Sequence, residues 1–170
     1  MLRESVRHWA QRPATQYPGH DPAWYSPEMG RVEHVVMGDL LGLIRYVKAR
    51  RRGQDLLCWK FFSALANRVL EATYLAHVDR DRGFGKPLPS HEHTQLRKAL
   101  PKDDIDYLTS MTFAGDETSM DGGMIRLGHE LVRLGGELSD VSDSYRTCAG
   151  TLMAWIECAL LDEGFNDALS

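Results

Sequence analysis

Apolar side chains recur at spacings of three and four along most of this chain, while strict alternation is confined to a few residues at a time. That is the period of helices with one packed face, not of strands. Val35, Val36, Leu40, Leu43, Ile44 and Val47 predict a first helix starting at Val32. It runs into Lys48, Arg50, Arg51 and Arg52 and stops at Gly53, a cation-then-glycine ending that suits a helix C-terminus. A second helix begins at Gln54 and Asp55, with Leu57, Cys58, Phe61, Phe62, Leu65, Val69, Ala72 and Ala76 in one stripe. Leu56, Trp59, Leu70, Tyr74 and Leu75 widen that stripe almost all round, which predicts a central helix packed on several sides.

A polar loop from Asp79 to Pro89 follows, and Ser90 is the expected N-cap of a third helix carrying His91, His93, Leu96 and Leu100. Pro101 interrupts it and starts a fresh helix, with Asp103 and Asp104 in the first turn and Ile105, Tyr107, Leu108 and Met111 inward. Residues Phe113 to Gly123 read as a loop. From about Gly123 to Leu138 the helical pattern returns, and Gly128 and Gly135 share a face where a neighbouring backbone is expected to come close. A last helix is expected from Tyr145 to Asp162. The fold class is therefore all-α, a single-domain bundle of five to six helices over residues 31–170. Residues 1–30 differ: closely spaced prolines among Trp9, Tyr17, Trp24 and Tyr25 forbid a helix and predict an extended aromatic arm. No repeat of 20–50 residues is present, so a solenoid is excluded.

Composition narrows the class. The chain has 170 residues, is 43% hydrophobic and carries a net charge of −4. It is long enough to bury a core without disulfides or metals, and too balanced for a basic nucleic-acid coat or a disordered acidic tail. Cys58, Cys148 and Cys158 are odd in number, lack a C-x-x-C pair and fall in helical patterns; they read as reduced, buried thiols of a cytoplasmic protein. No segment is apolar for the ~20 residues a membrane needs, and no secretory leader is visible.

The charge is unevenly placed. Residues 121–170 hold nine acids against three arginines, and the first 120 residues carry 17 cations against 15 acids. Asp140, Asp143, Asp162 and Glu163 thus mark an acidic back, and Tyr17, Trp24 and Tyr25 are aromatic anchors for a protein partner. Arg45, Lys48, Arg50, Arg51 and Arg52 form the opposite pole, suited to phosphate or an acidic partner. A nucleic-acid face would spread its cations among aromatics, which this short cluster does not.

Catalytic patterns are thin. His91 and His93 are two apart and diverge by about 200° on a helix, so with Glu92 they make a poor metal site; no cofactor is expected. Small helical HEPN-type ribonuclease domains, whose bundle composition this chain is similar to, set an Arg and a His five to seven positions apart. There the His moves a proton and the Arg steadies phosphate. Here Arg68 and His77 are nine apart, on nearly opposite faces, and Arg126 and His129 are three apart. Phosphate-cradling and nucleophile-elbow motifs are absent. The leading expectation is a non-catalytic cytoplasmic protein-binding module of immunity, defence, counter-defence or accessory-subunit type. A HEPN-like ribonuclease or nucleic-acid binder is the alternative, and a metal-binding bundle the second. Self-association is expected if the broad stripe on the second helix exceeds what one bundle covers.

Overall fold

The computed structural model describes residues 32–112, 117–139 and 141–161. The expected arm with Tyr17, Trp24 and Tyr25 lies outside the described residues, as do Asp140, Asp162 and Glu163. Among the described residues the chain forms six α-helices and one 3-10 turn, with no strand, so the all-α reading holds.

Helix α1 spans Val32–Arg51 and buries Val36, Leu40, Leu43, Tyr46 and Val47. It ends as its sequence predicts. Gly53 takes a left-handed φ of 61°, and the N–H groups of Gly53 and Gln54 donate to the carbonyls of Arg50 and Ala49. That pair of bonds closes the last turn and reverses the chain. Helix α2, Asp55–His77, returns antiparallel to α1. Arg80–Arg82 then form the 3-10 turn, and the short helix α3, Glu92–Ala99, packs Leu96 and Leu100 beneath Tyr74. Helix α4, Lys102–Thr112, climbs back along the bundle and leads to α5, Glu117–Leu138, and α6, Asp143–Leu161.

Helix directions follow from a few contacts. Asp121 at the start of α5 meets Tyr46 and Arg50 near the end of α1, while Gly135 lies beside Val36, so α5 is antiparallel to α1. Gly123 lies against Phe62, and Arg80 just past α2 donates to the Glu137 carbonyl, so α5 is parallel to α2. Tyr145 and Ser142 sit near Val36 and Glu33, whereas Ala159 and Leu160 share a cavity with Val47 and Arg50; α6 is therefore parallel to α1. Two antiparallel hairpins, α1–α2 and α5–α6, are thus joined by the α3–α4 crossover. Helix α5 is the inner one: Met124, Leu127, Leu131 and Leu134 are all essentially inaccessible. Each such side chain contributes about 1.5–3 kcal/mol of transfer free energy.

The structure corrects several expectations. Helix α5 starts at Glu117, not near Gly123, because the buried pair Met120 and Met124 continues its inward face through Gly122 and Gly123. The cap of α3 is His91, with no side-chain cap bond, and not Ser90. At Gly128 and Gly135 the nearest atoms belong to side chains, not to a neighbouring backbone. A Cβ on Gly128 would lie 2.8 Å from Met153 Cε, and one on Gly135 would lie 3.0 Å from the Tyr145 hydroxyl, so both glycines make room for side chains. Only Cys58 is buried; Cys148 and Cys158 are exposed because α6 turns that face to solvent. Helix α2 is covered all round only in its second half, where α3 reaches Tyr74. Leu56 at its start stays 88% exposed and Trp59 46%.

Candidate functional site

Charged side chains divide into those matched inside the bundle and those left on its outer faces. Asp121 accepts from the Tyr46 hydroxyl at 2.5 Å and from Arg50 Nε at 3.1 Å, locking α5 to the end of α1. Burial, and then the hydrogen bond to Asp121, raise the Tyr46 pKa above the ordinary phenol range. Arg68 donates to Asp39 at 2.7 Å and pairs with Glu71, whose other oxygen accepts the Gly85 N–H at 2.6 Å; its guanidinium lies 5.5 Å from the Phe84 ring centre. Helix α1, helix α2 and the following loop are pinned at one point. Burial raises the Asp39 pKa, and its attraction to Arg68 only partly offsets this. Glu130, nearly buried, receives two hydrogen bonds from Arg133, at 2.9 and 2.5 Å, and Arg133 also pairs with Glu137. The hydrogen bonding to Glu130 holds Arg133 charged above its ordinary pKa.

These pairings decide much about the acidic back. Of its described acids, Asp121, Glu130 and Glu137 are paired with arginines and Glu157 meets His129, while Asp143 stands exposed in the first turn of α6.

The basic pole is a different surface. Helix α1 turns His34, Gly38, Leu41, Arg45 and Lys48 to solvent, and Arg52 continues the line just past its end. Their spacing of four and three places them in one stripe. The acids of α1 are directed elsewhere: Glu33 accepts the Ser142 N–H, and Asp39 is held by Arg68. Arg50 belongs to Asp121, and Arg51 is half-buried. The expected cluster Arg45, Lys48, Arg50, Arg51 and Arg52 therefore splits, with Arg45, Lys48 and Arg52 outward.

Beside this stripe runs a groove between α1 and α2 of about 200 Å³, lined by Gly38, Gly42, Leu43, Phe61, Leu65 and Met124, with Asp39 and Arg45 at its edge. The two glycines make the wall low, since among the described residues nothing lies within 4 Å of where their Cβ atoms would be. Leu41, 53% exposed, belongs to the outward stripe of α1, Leu57, 37% exposed, lies one turn before Phe61 on α2, and Lys60 is exposed one turn before Ala64. Sequence reasoning singled out the cations but missed Gly38, Leu41 and Gly42. Their signal was available: a four-residue glycine spacing on the face opposite the core pattern.

A second cleft, about 210 Å³, is lined by Thr73, His77, Leu100, Asp104, Tyr107, Leu108, Glu130 and Arg133. It brings His77 to an arginine, but to Arg133, not Arg68, which faces α1. The Thr73 hydroxyl donates to the Val69 carbonyl, and Arg133 is engaged by two glutamates. The groups that would steady a phosphate are already occupied. His129 meets Glu157, and Arg126 points to solvent. His91 caps α3 and His93 is exposed; among the described residues no group of three or more metal-binding side chains is placed to hold an ion. Nor is any described helix long and apolar enough to cross a membrane.

No protein-family model, curated protein or solved structure matches the chain.

Proposed function

We propose that this protein is a non-catalytic binding module that captures an acidic, amphipathic segment of another protein along its α1–α2 face. One observation carries the reading: a solvent-facing stripe with Arg45, Lys48 and Arg52 borders a glycine-lowered apolar groove. A helix laid in such a groove presents apolar anchors at spacings of three and four. Its flanking carboxylates meet the cations, which speeds encounter and fixes orientation. Leu41, Leu57 and Phe61 supply the apolar contacts, and the missing Cβ atoms of Gly38 and Gly42 let the partner's backbone approach. Apolar lining favours a protein over a polyphosphate, which would gain nothing from Leu43, Phe61 or Leu65.

The test uses three fluorescent probes: an amphipathic peptide with Glu between Leu and Phe anchors, the same peptide with Lys for Glu, and a single-stranded RNA 15-mer. The acidic peptide is expected to bind, to weaken as salt rises, and to lose about tenfold or more in affinity to the Arg45→Glu, Lys48→Glu double variant. Tight binding of RNA without the peptide overturns the reading in favour of nucleic acid. Equal binding of both peptides overturns it in favour of non-specific apolar adhesion.

A further inference from the structure

We infer that the outward face of α6 is a second interaction surface, and that its occupant is another copy of this chain, packed antiparallel about Thr151. Between Arg146 and Glu157 helix α6 carries no charged residue, yet Thr147, Cys148, Gly150, Thr151, Ala154 and Trp155 are exposed there. Trp155 is 39% exposed, and Leu161 beyond Glu157 is 67% exposed. An uncharged helix stretch ten residues long, with a tryptophan exposed on it, is unusual for a surface meant only for water.

Charge selects the occupant. A two-fold axis perpendicular to both helices sets residue i of one copy opposite residue j of the other, and j of the first opposite i of the second. With the axis beside Thr151, Arg146 faces Glu157 of the second copy, twice over. At about 100° per residue those two side chains lie within about 20° of each other around the helix, on the same flank. A perpendicular two-fold pairs like flanks, so both contacts form together. On the other flank Trp155 covers Cys148 of the second copy. At the centre Thr151 meets itself, and Gly150 and Ala154 allow a close helix approach; among the described residues nothing lies within 4 Å of where a Gly150 Cβ would be. In a parallel pairing Arg146 of one copy and Glu157 of the other would lie about 16 Å apart along the helix axes and could not meet. The face is therefore complementary to itself in one direction only. The Glu157 carboxylate also meets His129 of its own chain, so in the dimer it would be shared between His129 and the second copy's Arg146.

The test is sedimentation velocity on the full chain across a concentration series, in reducing buffer. A reversible dimer is expected. Thr151→Arg, which puts two guanidinium groups on the axis, should weaken it by about tenfold or more with unchanged helical circular dichroism. Arg146→Glu and Glu157→Arg should each weaken it, and the double exchange should restore it. A Thr151→Cys variant, with Cys148 and Cys158 changed to Ser, should form a disulfide-linked dimer on mild oxidation. A monomer at every concentration overturns the inference. So does a dimer indifferent to Thr151→Arg, which would place the contact on another face, such as the Leu56–Trp59 start of α2.

Discussion

Helices α1 and α6 run side by side in the same direction, yet they show the solvent opposite surfaces. Outward α1 is a line of cations broken by glycine and leucine; outward α6 is uncharged from Thr147 to Ile156. Both rest on α5, where Gly123, Gly128 and Gly135 meet neighbouring side chains, Gly136 stands open, and Asp121, Glu130 and Glu137 are paired with arginines. The contrast separates two uses of the same residue. Gly123, Gly128 and Gly135 make room for Phe62, Met153 and Tyr145, whereas Gly38, Gly42 and Gly150 make room for nothing among the described residues. Glycine costs a helix about 0.5–1 kcal/mol relative to alanine. At Gly123, Gly128 and Gly135 core packing offsets that cost; at Gly38, Gly42 and Gly150 no contact among the described residues does.

Removing the shared support should have the largest effect. Leu131, fully buried in α5, is expected to cost about 2–5 kcal/mol on Leu131→Ala. Chemical denaturation should show it, and both surfaces should be lost together as the bundle opens. Next comes the glycine contrast. Gly123→Ala would put a Cβ 2.8 Å from Phe62 Cε2 and 3.2 Å from the Met111 carbonyl, and should destabilise by about 1–3 kcal/mol. Gly42→Ala, in open space, should stabilise by about 0.5–1 kcal/mol while raising the groove wall and weakening the acidic peptide. If Gly42→Ala destabilises, the distinction between the two glycine sets fails.

How much of this was legible beforehand follows the same division. The inward patterns of α1 and α2 announce themselves because Leu, Val and Phe recur every third or fourth residue, and Gly53 marks the chain reversal. The start of α5 was hidden because Met120 and Met124 flank Gly122 and Gly123, whose low helix propensity is outweighed only by packing on Phe62. The exposure of Cys148 and Cys158 was not readable at all: both sit in an apolar helix, and which side of it faces the core depends on where α1 and α5 lie. The cations of the basic pole were visible as a run, but a run does not tell that Arg50 turns inward to Asp121 while Arg45 and Lys48 turn out. The uncharged stretch of α6 is visible in the sequence too, but its ten residues are half of what a membrane span needs, and the pattern does not tell which side faces solvent.

The smallest effect concerns pH at the seam between α1 and α2. Burial raises the Asp39 pKa above 3.8, so the native state holds that proton more tightly than the unfolded chain. The stability tied to this group is full below pH 3.8 and declines as pH rises through its folded-state value. Replacing Asp39 with Asn should flatten that segment of the stability–pH curve; an unchanged slope would show that Arg68 fully compensates for burial.

The most direct measurement is a backbone amide NMR titration of the isotope-labelled protein with the acidic amphipathic peptide. Shift changes are expected at Gly38, Leu41, Gly42, Arg45, Lys48 and Arg52 on α1 and at Leu57, Phe61 and Ala64 on α2, fading as salt is added. Shift changes centred on α6, or none at all at millimolar peptide, would contradict the assignment of the α1–α2 face as the capture surface.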